Sequence, residues 1–486
     1  MRAKTQVYPD YSAEIKAINE NGITKEVLER IIRRHQPNAC YNKRLYDRYQ
    51  SLDACVPIFN RMPRFQSEKD QAPVINNRVN NDFFGEIIDF KTGYFAGKPI
   101  GYSYSSTEES KNMTGGEVAV DEAKKALSDF VTRNNMFDKD MELTKHAAIY
   151  GYVGRLFYID PEGNERCMVV PGYETIILSS TDISEPEYAV RYYSTTDIND
   201  RELWHVEFYD NKNIYYYEGA LNSLNEIGPT QPHLFDYCPL QAIANNNELI
   251  GDAEKVLSLI DAYDRTLSDN TNDIEAFSSA YMIFENVKLD DVEMQKAQHS
   301  GAIQFKTGPA GGKVYFLTKE VNDAFCEHHL ERLEQNIYRF SKTPNLEDDA
   351  FGTASGISLK FKLTGLEAKC GMFQAKMDSA GTYMFKLLAS SWKKKKITVD
   401  PLQCYMDYSR NFPLDLAGEA AAVQALINAG LPKEIAYDQL SFIDDLDYVM
   451  DLIDEEQAGI PSLTEQLPED EEEVEDRDAE QADVTN

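Results

Sequence analysis

The sequence predicts an α+β chain of several domains. Two features point there: three long stretches with apolar residues at helical steps of three and four (252–277, 322–342 and 357–396), and six short β-rich runs between residues 156 and 217. At 486 residues the chain has the length of about three domains, ample for a sizeable core.

Taken in order, residues 23–32 read as a helix, with Thr24 placed to cap it and Val27, Leu28, Ile31 and Ile32 on one face. Residues 42–49 read as a second helix. Pro57, Pro63 and Pro73 mark an extended connection. Val79, Phe83, Ile87, Phe90 and Tyr94 then give a helix over residues 78–94, stopped at Gly97-Lys98-Pro99. Residues 105–116, rich in Ser, Gly and Glu, read as a mobile loop, followed by helices at 120–134 and 138–150. The β-rich runs are 156–159, 167–170, 175–178, 188–193, 203–209 and 213–217, separated by turn residues, and together they read as a mainly antiparallel sheet.

The three long stretches dominate the chain from residue 252 to residue 396. In the first, Val256, Leu259, Ile260, Tyr263, Leu267, Asn270, Ile274 and Phe277 form one stripe, with Glu254, Asp261, Arg265, Ser268 and Asn272 opposite. In the second, Cys326, Leu330, Leu333, Ile337 and Phe340 oppose Glu331, Gln335, Tyr338 and Lys342. The third runs through Leu359, Leu363, Leu366, Cys370, Phe373, Met377, Ala380, Met384 and Leu387, and its 357–396 span would be roughly 60 Å long. A helical core or a dimeric coiled coil accounts for the periodicity. The interior glycines Gly365, Gly371 and Gly381 fit less well. Each costs about 1 kcal/mol relative to alanine, so the helix needs strong external packing, which neighbouring copies would supply.

Residues 278–321 lie between the first two helices as a compact insertion. Two β-like pieces, 280–284 and 313–317, bracket a helix-like run at 289–298 and a glycine-rich turn. A polar link, 343–356, joins the second helix to the third. Residues 397–413 have strand character, 416–429 and 432–457 read as short helices, and the stretch from Pro461 holds eleven acids and one arginine, too polar to order itself.

The net charge of −33 and pI near 4.6 argue against a conventional nucleic-acid binder, whose affinity comes from cations on phosphates. The amino terminus has no apolar core of a secretory signal, and no run of eighteen apolar residues suggests a membrane span. Seven cysteines, an odd number without a C-x-x-C pair, read as reduced thiols.

Catalytic motifs do not emerge. Gly308-Pro-Ala-Gly-Gly-Lys-Val314 lacks phosphate-loop spacing and has Val314 where a hydroxyl should stand, so it reads as a turn. His328 and His329 are adjacent and diverge by about 100° on a helix, so they cannot chelate one metal. Glu347, Asp348 and Asp349 read as a solvated acidic loop, and Lys393 to Lys396 as cations complementing a helix end. No catalytic residue, metal site or cofactor is expected, and the chain does not read as an enzyme.

Several motifs, in their order, resemble the portal (connector) proteins of tailed double-stranded DNA bacteriophages of the long-tailed siphovirus type. The most specific is Pro239-Leu-Gln-Ala-Ile-Ala-Asn-Asn-Asn-Glu-Leu-Ile-Gly-Asp252, leading into Leu259-Ile-Asp-Ala-Tyr-Asp264 and Ser268-Asp-Asn-Thr-Asn-Asp273. Weaker matches are Gly93-Tyr-Phe-Ala-Gly-Lys-Pro99, Ala354-Ser-Gly-Ile-Ser-Leu-Lys360 and the Arg410-Asn-Phe-Pro413 segment. The likeness spans about residues 20–457.

The resemblance implies a portal fold: an α/β wing (1–245, with a return strand at 397–412), a two-helix stem (246–277 and 322–342) and a small α/β clip (278–321). It further implies a tunnel loop (343–356), a long kinked helix (357–396), a helical crown (413–457) and a disordered acidic tail (458–486). It implies a ring, usually of twelve copies, at one capsid vertex of the virion, assembled in the host cytoplasm. The ring would nucleate procapsid assembly and serve as the DNA channel for packaging and ejection. Its partners would be scaffolding and major capsid proteins, terminase, the head–tail adaptor and the double-stranded DNA itself, with no membrane.

On that reading Glu347, Asp348 and Asp349 would face the DNA channel. Glu254, Asp261, Arg265, Glu331, Gln335 and Lys342 are the candidates for a channel-facing stem surface. Lys288, Asp290, Asp291, Glu293 and Lys296 are candidates for binding partners at the clip. An acidic wall suits a channel through which DNA slides, since it does not grip phosphates. The competing readings are a non-viral oligomeric coiled-coil scaffold and a metal-dependent hydrolase built on the acids at 347–349.

Overall fold

The computed structural model describes residues 8–62, 75–105, 116–196, 198–278, 281–285, 311, 313–317, 323–345, 356–411, 416–437, 440, 449–450 and 453. The chain is α+β and divides into two units, Met1–Asn411 and Phe412–Asn486.

Helices α1 (Ser12–Asn21) and α2 (Lys25–Tyr49) open the first unit. Thr24 caps α2 as its sequence suggests, Oγ1 accepting from the Val27 amide at 3.4 Å. The two helices read at 23–32 and 42–49 are one helix that continues through Pro37. Proline removes one backbone bond, but Leu28, Ile31, Ile32, Ala39 and Leu45 are all buried and hold both halves in place. Residues 51–60 are mostly turns rather than an extended connection. Helix α3 (Phe83–Ala96) starts later than its apolar pattern, at Asp82, whose Oδ1 accepts from the Gly85 amide at 3.1 Å. Strand β1 (Gly101–Tyr104) and helices α4 (Gly116–Asn134) and α5 (Met136–Tyr150) follow. Most of the segment read as a mobile loop, residues 106–115, lies outside the described residues.

Next come β2 (Tyr152–Ile159), β3 (Glu165–Val170), β4 (Thr175–Leu178), β5 (Tyr188–Thr196), β6 (Glu202–Tyr209), β7 (Asn213–Ala220), β8 (Ser223–Glu226), β9 (Gln231–Pro232) and β10 (Leu240–Ala244). All six β-rich runs fall on strands, and every pairing among them is antiparallel. One sheet has the order β10-β2-β3; the other is a meander, β4-β5-β6-β7-β8, with β9 beside β7. The meander lays Ile176, Leu178, Val190, Val206 and Phe208 on Ile15, Ile18, Leu28, Ile31 and Ile32 of the first two helices. The sequence reading missed β10, whose five residues are all buried and so show no alternation.

Beyond β10 the chain forms α6 (Leu257–Ser278), the antiparallel pair β11 (Tyr281–Glu285) and β12 (Lys313–Leu317), then α7 (Asp323–Ser341) and α8 (Gly356–Lys394). Residues 286–310, with the helix-like run, lie outside the described residues. Helix α8 is one uninterrupted element of 39 residues. Every described member of its apolar stripe is buried, from Leu363 through Leu366, Cys370, Phe373, Met377, Ala380 and Met384 to Leu387. Strand β13 (Cys404–Asp407) pairs with β1, matching Gly101 to Asp407. There Gly381 packs against Met406: a Cβ would lie 2.5 Å from its sulfur, so the methionine would have to shift.

The second unit shows α9 (Leu416–Asn428) and α10 (Lys433–Tyr437), joined through Gly430 at φ 91°. Residues 454–486, with the whole of the acidic tail, lie outside the described residues. All seven cysteines are free thiols. No helix among the described residues is long and apolar enough to cross a membrane.

Candidate functional site: the root of the helix pair

The Asn-rich segment leading into α6 is built as a tight turn. The Asn246 side chain closes it from both sides, its Oδ1 accepting from the Ile250 amide at 3.0 Å and its Nδ2 donating to the Ile250 carbonyl at 2.7 Å. Gly251 is forced by contact: a Cβ would stand 2.2 Å from the Ile149 carbonyl oxygen. Glu254 closes the turn as a reciprocal cap, Oε1 accepting from the Gly251 amide at 2.6 Å. A short 3-10 turn, Glu254–Val256, then leads into the α-helix proper.

Asp252 sits at the centre. Its Oδ2 is 2.8 Å from Lys91 Nζ on α3, and its Oδ1 is 2.7 Å from Lys369 Nζ on α8. Lys91 also donates to Asn245 Oδ1 at 2.5 Å and lies 4.7 Å from the centre of the Phe373 ring. Lys369 donates in addition to the Ser341 carbonyl at 2.8 Å, the last residue of α7. One carboxylate thereby ties α3, the start of α6, the end of α7 and the middle of α8. Burial opposes the charge on Asp252, but Lys91 and Lys369 outweigh it and pull the carboxyl down to about 2. Burial in turn lowers Lys369, against the pull of Asp252.

A second polar device runs along α6. Asp264 Oδ1 accepts from the Asn81 amide at 2.9 Å, Ser268 Oγ from the Val79 amide at 2.9 Å, and Asn272 Oδ1 from the Asn77 amide at 2.6 Å. Four helical residues rise about 6 Å, close to the advance of two residues of extended chain, so alternate amides meet every fourth helix position. Asp264 and Ser268 are fully buried by this contact. Burial raises the Asp264 carboxyl, while its bonds to Asn81 hold it down. Further along, Arg61 pairs with Asp269, and Asn77 Nδ2 donates to Glu275 at 2.5 Å.

This geometry corrects part of the sequence reading. Glu254 and Asp261 are not on an exposed polar face. Glu254 is buried and also accepts from the Tyr41 hydroxyl at 2.9 Å; Asp261 is paired with the buried Arg48 at 2.6 Å. Ser268 and Asn272 are likewise taken up by residues 77–81, whereas Ile274, assigned to the apolar stripe, is exposed. On α7, Tyr338 is buried with its hydroxyl 2.9 Å from Glu86, and Phe340 is exposed. The buried stripe there is Leu330, Leu333, Ile337 and Ser341, because 3.6 residues per turn carries position 340 past the seam.

The remaining candidates on these helices, Arg265, Glu331, Gln335 and Lys342, are exposed. Glu347, Asp348 and Asp349 lie outside the described residues, as do Lys288, Asp290, Asp291, Glu293 and Lys296. Among the described residues no group of three His, Cys, Asp or Glu is placed to hold a metal ion. The sequence reading missed Lys91 and Lys369. Lys91 carried a signal: it falls on the apolar face of α3 with Ile87, Ile88 and Phe95, where an unpaired cation would not be tolerated.

The family comparison decides what this framework belongs to. Residues 28–461 match the family described as "Phage portal protein, SPP1 Gp6-like". The chain belongs to this phage portal protein family. Among curated relatives it is 24% identical over 418 residues to the portal protein of Bacillus phage SPP1, covering 82% of this chain and 79% of the relative. It is 23% identical over 343 residues to the portal protein of Clostridium phage phiCD119, covering 66% of this chain and 73% of the relative. The portal family is structural rather than a known enzyme class, and the Asn-rich turn, the Asp252 node and the three long helices all fall inside the matched region.

Proposed function

We propose that this portal family member assembles into a closed ring of twelve copies at one vertex of the virion capsid and forms the channel for double-stranded DNA. The observation that carries the proposal is apolar surface left uncovered along the three long helices. Ile274 on α6, Phe325 and Phe340 on α7, and Phe361 and Met372 on α8 are all more than half exposed in the single chain. Gly371, beside Met372, has open space where a Cβ would stand, so a neighbouring backbone could approach there. A closed ring covers such surfaces on every copy, which an open or monomeric arrangement does not.

On this reading residues 1–245 with 397–412 are the wing, α6 and α7 the stem, residues 278–321 the clip, 343–356 the tunnel loop, α8 the long helix behind it and 413–457 the crown. Lys288, Asp290, Asp291, Glu293 and Lys296 at the clip would dock terminase and later the head–tail adaptor. Arg265, Glu331, Gln335 and Lys342 would face the channel, and Glu347, Asp348 and Asp349 would line its tunnel. The ring would nucleate procapsid assembly with scaffolding and major capsid proteins in the host cytoplasm. The family match does not favour a non-viral scaffold.

Light scattering of the purified protein, with negative-stain images scored for rotational symmetry, tests the ring. A mass many times 55.3 kDa is expected. A folded monomer at all concentrations overturns it. For the clip, reversing several of its charges should impair packaging while rings still form; unimpaired packaging overturns that assignment.

A further inference from the structure

Away from the helix root, a cleft of about 470 Å³ opens between α2 and strands β5 and β6 of the meander. Its walls are aromatic, formed by Tyr173, Tyr192, Tyr193 and Trp204, with Lys43 and Arg44 among its lining residues. Tyr192 and Trp204 are stacked at 5.7 Å between ring centres, and Tyr192 is fixed from beneath by the buried His35, 2.8 Å from its hydroxyl. These contacts hold the Tyr192 ring in place.

The chemistry selects the guest. A cation is disfavoured because two of the four aromatic walls, Tyr173 and Tyr193, already hold the protein's own cations. Lys43 Nζ lies 5.4 Å from the centre of the Tyr173 ring and 5.2 Å from Tyr46, and Arg191 lies 4.6 Å from Tyr193. Lys43 is paired with Asp47 at 2.8 Å, whereas Arg44 is exposed and forms no ion pair among the described residues. Helix α2 carries seven Lys and Arg against three Asp and Glu, in a chain whose net charge is −33. Of these, Arg30 and Arg34 pair with Glu14, Arg48 with Asp261 and Lys43 with Asp47, which leaves Arg44 beside the cleft as an exposed cation, and such a charge favours an acidic guest.

We propose that the cleft docks an acidic peptide segment of a partner protein, which seats one apolar side chain among Tyr173, Tyr192 and Trp204 and sets its carboxylates against Lys43 and Arg44. The apolar anchor supplies the buried contact and the acids supply direction, a division common at interfaces. Glu174 is the carboxyl among the lining residues. Burial raises it, opposed by Arg191 and Lys43.

Trp204 is a built-in reporter. The chain has two tryptophans, and Trp392 is 2% exposed, so iodide quenching reads Trp204. The assembled full-length protein is titrated with a capped peptide carrying a Leu-Phe pair flanked by glutamates. Matched peptides replace either the glutamates by lysine or the Leu-Phe pair by Gly-Ser. Saturable protection of Trp204 by the first peptide alone is expected. The double variant Lys43→Glu/Arg44→Glu should weaken it at least about tenfold, equivalent to about 1.4 kcal/mol. Ser194→Phe, which fills the slot from an exposed strand position, should abolish it without altering charge. Equal protection by the lysine or Gly-Ser peptide, or no response to either variant, overturns the proposal. So does protection that appears with assembly alone, since a second copy would then fill the cleft.

Discussion

Replacing Asp252 by asparagine removes the carboxylate shared by two buried ammonium groups. The side chains of Lys91 and Lys369 are 1% and 13% exposed, so water cannot take over the missing charge. Breaking a buried ion pair by deleting one partner costs about 3–5 kcal/mol. An alternative is for Lys369, which burial already lowers, to lose its proton, at a cost of at most about 5 kcal/mol at pH 7. Lys91 keeps Asn245 and Lys369 keeps the Ser341 carbonyl, so the expected loss is about 3–5 kcal/mol rather than twice that. The sign with pH follows from the same groups. In the parent protein the Asp252 carboxyl is depressed from 3.8 to about 2. Its contribution, about 2 kcal/mol at about 1.4 kcal/mol per pH unit, is complete above the unfolded value and is lost as pH falls through the folded one. In Asp252→Asn the deficit should instead shrink as pH rises toward 10, where neutral lysine becomes accessible. Denaturant midpoints followed by circular dichroism between pH 2 and 10, with Asp252→Asn/Lys369→Met as the double-mutant partner, read both effects. A single variant within about 1 kcal/mol of the parent, or a deficit independent of pH, refutes the assignment of a charge node.

Three further outcomes are expected. Ser268→Ala should leave the Val79 amide without its acceptor, at about 1–3 kcal/mol, and speed hydrogen exchange at that amide; unchanged exchange shows the ladder is not needed. Gly371→Ala should raise the intrinsic helicity of α8 by about 1 kcal/mol yet weaken assembly, measured as a higher concentration for half-maximal oligomer; unaltered assembly places Gly371 away from any copy-to-copy contact. Replacing Glu347, Asp348 and Asp349 by lysine should leave ring formation intact while the rings retain DNA and stall packaging. That defect should ease with salt, because the field fades over about 8 Å at physiological ionic strength; normal packaging at low and physiological salt shows that the loop does not face DNA.

Local signals carried much of the architecture. The Thr24 cap, the strands between residues 152 and 220 and the seam of α8 could be read because each depends on neighbours a few residues away. The root of the helix pair was read less well. Asp264, Ser268 and Asn272 have the spacing and polarity of a solvent face, yet they are covered by residues 77–81, nearly two hundred positions earlier. Periodicity shows which residues share a face and does not show what lies against it. The same holds for Glu254 and Asp261, whose partners Tyr41 and Arg48 come from α2.

The α+β class and the approximate places of most helices and strands were legible in the sequence, whereas α6 begins at Leu257, after a 3-10 turn, rather than at 252. Backbone propensity, capping and apolar spacing act within a few residues, so they are written locally. The partners of the charged groups were set by packing between distant segments. Lys91, Asp252 and Lys369 lie 161 and 117 positions apart in sequence and meet because α3, α6 and α8 converge on one buried point. There, burial makes an unpaired charge intolerable, and the position of each opposite charge is fixed by packing rather than by sequence distance.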